Sequence, residues 1–150
     1  MLVSDIMTRT PKTVSPDDKL QEVASIMCLY RIPALPVVDE KGKLVGNISE
    51  MDLLKNLLPT IDDIVAGGAV LEIDRMTSNY SASMKQRVSD MMTKNPVSVS
   101  PDQHILKATA KMTSYRFRRI PVTDSDGKLI GVMSLGDVHK AIFQSHVSGI

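Results

Sequence analysis

The chain has 150 residues, 43% of them apolar and 23% charged, the proportions of one globular domain with a hydrophobic core. Its formal net charge of +1 excludes a general electrostatic pull toward nucleic acid, and two Phe, three Tyr and no Trp leave little on which single-stranded bases could stack. One cysteine, Cys28, excludes an intrachain disulfide and a Cys-based zinc site.

No apolar run approaches membrane-spanning length, and MLVSDIMTRT at the N-terminus lacks the apolar core of a signal peptide, so a cytoplasmic protein without membrane contact is the expectation. The ten Met are read as core fillers.

Taken in chain order, the first stretch is VSDIMTRTPKTVSPD, Val3 to Asp17. It returns as VSDMMTKNPVSVSPD, Val88 to Asp102, at an offset of 85. From residue 3 to residue 52 that offset matches 22 of 50 positions without a gap. Chance does not produce this, and an internal repeat organises everything else. Each copy starts with a short extended piece after a proline, Thr13-Val14 and Ser98-Val99. SPDD (15–18) and SPDQ (100–103) then predict helix starts, with Ser at the N-cap and Pro in the first turn. Leu20, Val23, Ala24 and Met27, and in the second copy Ile105, Ala108 and Met112, form one apolar helix face.

The β-branched runs LPVVD and IPVTD follow, then the turns EKGK and SDGK and the return strands LVGNI and LIGVM, which predict a hairpin in each copy. SEMD and SLGD open a second helix, in the first copy with Leu53, Leu54, Leu57 and Leu58 along or near its apolar side. Each copy is therefore β-α-β-β-α, and at 50–55 residues neither easily buries its own apolar faces. The fold class is α+β, two pseudo-symmetric repeats packed through their small sheets. The boundaries are repeat 1 at 1–58, a connector at 59–86 and repeat 2 at 87–150. In the connector, TIDDIVAGGAVLEI reads as helical up to Gly67-Gly68, and DRMTSNYSASMKQR as polar and mobile, either a solvated linker or a functional lid.

The tandem of VSDxMT, SVSPD, hPVxD, GKLhG and SxxD elements resembles a pair of CBS domains, the cystathionine-β-synthase-type repeat. It covers roughly residues 1–58 and 86–145 and carries no attached catalytic segment. The resemblance implies a non-catalytic regulatory module, a homodimer, whose cleft between the repeats binds an adenosine-containing ligand such as AMP, ADP, ATP or S-adenosylmethionine. No cofactor is required, and an effector protein would read the bound state. A dimerisation or partner-docking module with vestigial clefts is the competing function.

By the same resemblance, Asp52 and Asp137 accept the ribose hydroxyls, with Ser49 and Ser134 near ribose or phosphate at a helix N-terminus. Ser49-x-x-Asp52 and Ser134-x-x-Asp137 equally satisfy a helix capping box, and the two roles are compatible. Asn47 stands where the pattern has an apolar residue. Arg118 and Arg119 precede the second hPV strand, at positions the family uses for phosphate; their counterparts are Pro33 and Ala34. The expectation is unequal clefts, the stronger using Ser49 and Asp52 for ribose with Arg118 and Arg119 for phosphate. The competing role for these arginines is a solvated edge paired with Asp124 and Asp126.

Arg31 and Arg116 match each other and are assigned to the scaffold or a dimer interface. The base slot is assigned to Thr13, Val14, Ser98, Val99 and Ile120, with Ile32, Leu35 and Phe117 as further candidates or core residues. His104, His139 and His146 do not make a metal site, no phosphate loop or catalytic triad occurs, and Cys28 reads as packing.

Overall fold

The computed structural model describes residues 1–55, 57–58, 65 and 73–147. Its elements are α1 (Val3–Ile6), β1 (Thr8–Arg9), α2 (Leu20–Tyr30), β2 (Ala34–Val38), β3 (Leu44–Ser49), α3 (Glu50–Leu54), α4 (Ile73–Ser83), α5 (Val88–Met91), β4 (Thr93–Lys94), α6 (Ile105–Tyr115), β5 (Arg119–Thr123), β6 (Leu129–Ser134) and α7 (Leu135–Val147). The fold is α+β with two three-stranded sheets, ordered β1-β6-β5 and β2-β3-β4.

The sequence repeats and the packing units differ in one respect. The N-terminal unit comprises Thr13–Val37 and Val45–Lys94; the C-terminal unit comprises Met1–Lys12, Val38–Leu44 and Asn95–Ile150. The first twelve residues thus pack with the second repeat, and the matching stretch around Val88 packs with the first. In the C-terminal unit β1 pairs antiparallel with β6, Thr8 opposite Val132 and Arg9 opposite Gly131. In the N-terminal unit β4 pairs with β3, Thr93 opposite Asn47 and Lys94 opposite Gly46. Both added strands need a glycine. A Cβ at Gly131 would lie 2.7 Å from Met7 Sδ and 2.9 Å from the Thr8 carbonyl; one at Gly46 would lie 2.6 Å from Met92 Sδ.

Each unit has its own core. That of the C-terminal unit holds Val3, Met7, Val99, Ile105, Ala108, Met112, Ile120, Val122, Met133 and Val138. That of the N-terminal unit holds Val14, Leu20, Val23, Met27, Leu35, Val37, Ile48, Leu53 and Val88. The expected helix faces Leu20, Val23, Met27 and Ile105, Ala108, Met112 are the buried ones. The second helix of repeat 1 is short: Leu53 is buried, whereas Leu54 and Leu58 are exposed.

The helix starts are corrected. Helix α2 begins at Leu20 with Lys19 as N-cap, and α6 at Ile105 with His104 as N-cap, rather than at Ser15 and Ser100. Ser15 to Asp18 closes on itself instead, as the Ser15 N–H donates to Asp18 Oδ2 and the Asp18 N–H to the Ser15 carbonyl. Tertiary β-bridges then hold Lys19 to Arg87 and Leu2 to His104, and keep the chain extended until the following residue. The four-residue serine-proline turn competes with the first helical turn and wins.

The connector is corrected too. Residues expected to be mobile form α4, with Met76 and Tyr80 half-buried one turn apart and Met84, just beyond its end, against the N-terminal unit's core. The helix expected over residues 60–68 lies outside the described residues, apart from Val65.

Arg31 and Arg116 end α2 and α6 with left-handed backbone, at φ 53° and 58°. This is a scaffold role, a C-cap commonly filled by glycine. At the hairpin turns, Gly42 and Gly127 take φ of 81° and 82°, as the tight turns require. Within the C-terminal unit the two turns pair with each other: the Leu44 N–H donates to the Gly127 carbonyl and the Leu129 N–H to the Gly42 carbonyl, both at 3.0 Å.

Candidate functional site

In each unit a strand runs into a helix through a serine, and an aspartate closes the joint. In the N-terminal unit the Ser49 N–H donates to Asp52 Oδ2 at 2.9 Å, and the Asp52 N–H to Ser49 Oγ at 3.2 Å. The Ser49 hydroxyl also donates to Asp52 Oδ2, and Lys55 Nζ lies 3.4 Å from Oδ1. Asp52 is the one buried charged residue among those described, 7% exposed. In the C-terminal unit the Ser134 N–H donates to Asp137 Oδ2 at 2.9 Å and the Asp137 N–H to Ser134 Oγ at 3.0 Å. The capping role is therefore present in both units. It occupies mainly Oδ2, and an ionised carboxylate has about four lone-pair sites, so it leaves acceptor capacity on each aspartate.

Arg118 and Arg119 sit beside the second of these joints. β5 and β6 pair antiparallel with Arg119 opposite Ser134, and the Leu135 N–H donates to the Arg118 carbonyl at 2.9 Å. Both side chains are exposed. The competing role, pairing with Asp124 and Asp126, is not observed: Asp124 Oδ1 accepts the N–H groups of Asp126 and Lys128 inside the turn. Among the described residues neither arginine has a salt-bridge partner. Two uncompensated guanidinium groups thus stand at the start of a 13-residue helix, whose N–H groups themselves favour an anion. The matched joint has Pro33 and Ala34, the Pro33 carbonyl accepting the Glu50 N–H at 2.9 Å.

Of the base-slot candidates, Thr13 and Ser98 are accessible, while the side chains of Val14 and Val99 are 3% exposed and belong to the two cores. Val14 and Val99 form parallel bridges to Val37 and Val122. Ile120 is fully buried on the inner face of β5, a core position, as is Leu35 in the other unit. Phe117 is partly exposed and stacks on Tyr115, ring centroids 5.4 Å apart.

Two lysines escaped the sequence reading. Lys55 touches Asp52, and Lys111 Nζ donates to the Ser98 carbonyl at 2.8 Å. The signal for Lys111 was available in the repeat itself, because the matched residue is Ile26. Elsewhere, His104 Nδ1 accepts the Leu106 N–H and so caps α6. Cys28 is exposed, not packed in a core. Among the described residues no helix is long and apolar enough to cross a membrane.

Comparison with known proteins supplies the frame for these features. The CBS domain family model matches residues 3–59 and 88–144. The uncharacterized protein MJ1426 of Methanocaldococcus jannaschii is 30% identical over 95% of this chain and 91% of its own length. The crystal structure of Arabidopsis thaliana CBSX2 in complex with AMP superposes with a TM-score of 0.74 at 29% identity, over 95% of this chain and 96% of that one. The CBS domain pair of MJ0100, crystallised with 5-methylthioadenosine and S-adenosyl-L-methionine, gives a TM-score of 0.70 at 25% identity, over 97% and 98% of the two chains.

Proposed function

Since this chain belongs to the CBS domain family, with the domain present twice, we propose that it is a non-catalytic regulatory module that binds an adenosine-containing ligand. The observation that carries this is the pair Arg118 and Arg119, exposed and without anionic partners at the start of a helix. The AMP complex of CBSX2 and the adenosine-ligand complex of MJ0100 support the ligand class. Asp52 and Asp137 are the ribose acceptors, Ser49 and Ser134 lie at ribose or phosphate, and Arg118 and Arg119 bind phosphate. The backbone of Thr13-Val14 and Ser98-Val99 faces the base. The ligand acts as a regulator and no cofactor is required.

The module acts as a cytoplasmic homodimer. Leu29, Tyr30 and Met51 in one unit, and Tyr115, Phe143 and Val147 in the other, are large apolar side chains left 50% or more exposed, a pattern that fits an interface. An effector protein reads the bound state.

Calorimetric titration with AMP, ADP, ATP and S-adenosylmethionine tests the ligand. Phosphate ligands should bind, and replacing both arginines by alanine should weaken them about a hundredfold or more, at 1.5–3 kcal/mol per charge-assisted bond. Asp52→Ala should abolish ligand-induced thermal stabilisation. An absence of binding by all four at millimolar concentration would overturn the proposal and leave a docking module.

A further inference from the structure

Lys111 has no part in the function proposed above. In the C-terminal unit the Val99 segment joins β5 in parallel: its N–H donates to the Pro121 carbonyl and its carbonyl accepts the Thr123 N–H, both at 3.0 Å. Backbone groups of successive strand residues point in opposite directions within the sheet. With those of Val99 on the ladder, the N–H and C=O of Ser98 face the outer edge of the strand. There the half-buried Lys111, on α6, places its ammonium 2.8 Å from the Ser98 carbonyl. Ser98 Oγ and Thr123 Oγ1 meet at 2.9 Å beside them.

The matched positions in the other repeat are Ile26, Thr13 and Val38, and Ile26 packs against that unit's apolar core. The shared scaffold asks for an apolar side chain here. Lys111 departs from it.

Position relative to the arginines gives the departure a direction. Arg119, Pro121 and Thr123 lie on one face of β5, with Ile120 and Val122 buried on the other. Four residues of strand separate Arg119 from Thr123, roughly 13 Å, comparable to the length of a nucleoside monophosphate from phosphate to the far edge of its base. Arg119 stands at one end of that face and Thr123, whose Oγ1 meets Ser98 Oγ, at the other; Lys111 reaches the Ser98 carbonyl from α6, at the edge of the sheet.

We propose that Lys111 reads the base. Its ammonium retains two N–H donors and the Ser98 carbonyl a second lone pair, so the two present a donor beside an acceptor. Adenine offers the complement, the N1 acceptor next to the 6-amino donor, with the ammonium donating to N1. This rests on the proposed function and deepens it, assigning recognition of the purine N1 acceptor to one residue.

The test is calorimetry of the full chain and of Lys111→Met with AMP, inosine monophosphate and 1-deaza-AMP, in which C–H replaces N1. The unaltered protein should prefer AMP over 1-deaza-AMP about tenfold, the worth of one charge-assisted hydrogen bond, whereas inosine monophosphate, whose O6 also accepts, should be less affected by the substitution. In Lys111→Met the preference over 1-deaza-AMP should fall to within about twofold. Lys111→Ile, the residue of the matched position, should behave alike. The ratio is measured within each variant, so lost stability lowers both affinities without mimicking lost selectivity. An AMP to 1-deaza-AMP ratio unchanged in Lys111→Met, with both still bound, overturns the inference and leaves the nucleotide function standing. If the unaltered protein binds neither AMP nor the analogues, the inference is overturned, and the nucleotide function falls with it only where ADP, ATP and S-adenosylmethionine also fail to bind.

Discussion

Replacing Val3 by alanine probes the exchange of segments between the repeats. Val3 stands at the start of the chain, yet its side chain is fully buried in a core built from residues 99 to 138. The substitution removes two methyl-sized groups, worth about 0.8 kcal/mol each by transfer from water. The space they leave adds a cavity term, so a loss of about 2–3 kcal/mol is expected. That is a large share of the 5–15 kcal/mol typical of a domain. Urea unfolding followed by circular dichroism measures it as a shift in midpoint at constant slope. Val88→Ala, the matched change in the other core, should cost a similar amount, since Val88 is also fully buried. A loss below about 0.5 kcal/mol at Val3, within the range of ordinary surface substitutions, would refute the placement of the N-terminal segment in that core.

Three further outcomes are expected. Gly131→Ala should destabilise by about 1–3 kcal/mol through overpacking against Met7 and the Thr8 carbonyl, and hydrogen exchange should show the Thr8–Arg9 amides losing protection; unchanged exchange there would contradict the close approach. Arg116→Gly should stabilise by about 0.5–1 kcal/mol, because glycine takes the left-handed C-cap without the Cβ penalty; a lower melting temperature would instead assign the arginine side chain a structural contact.

The Ser100 hydroxyl and its own backbone N–H hold the Asp102 carboxyl below its ordinary range. The folded value is thus depressed, and its contribution to stability is present above the unfolded value and is lost as pH falls through the folded one. Ser100→Ala should raise the Asp102 midpoint in a carboxyl NMR titration, and a stationary midpoint would exclude the hydroxyl as the cause.

Much of the fold is legible because its determinants are local. The apolar spacing of Leu20, Val23 and Met27 and the turn chemistry of Asp39 to Lys43 act within a few residues, and both appear where expected. What escaped depends on partners far along the chain. Helix α2 starts at Leu20 because Lys19 bridges Arg87, and no property of SPDD announces that bridge. Half-buried Met76 and Tyr80 of α4, and Met84 just beyond its end, were obscured by the polar residues around them, and only the core that Met84 packs on gives them weight. At the site, the capping geometry of Ser49 and Ser134 was readable from spacing, whereas Lys111 reaches Ser98 across 13 residues and needed the tertiary fold.

The duplication separates what the scaffold requires from what one unit has acquired. Residues that serve the backbone are the same in both copies: the left-handed caps Arg31 and Arg116, the turn glycines Gly42 and Gly127, and the close-approach glycines Gly46 and Gly131. A position under such constraint tolerates few alternatives, so two copies retain it for the same physical reason. From residue 3 to residue 52, seven matched pairs are apolar in the first copy and polar in the second. In three of them Thr109, Thr113 and Ser114 bond carbonyls of their own helix, which leaves Ile26 against Lys111, Pro33 against Arg118, Ala34 against Arg119, and Val38 against Thr123. In each the N-terminal copy is apolar and the C-terminal copy polar or charged, and no backbone constraint accounts for the change. Arg119 and Thr123 share one face of β5, Arg118 adjoins the start of α7, and Lys111 reaches the Ser98 carbonyl from α6. Arg118 and Arg119 are exposed and half-buried Lys111 and Thr123 bond Ser98, so these four polar residues lie on the segments to which the proposed ligand site is assigned.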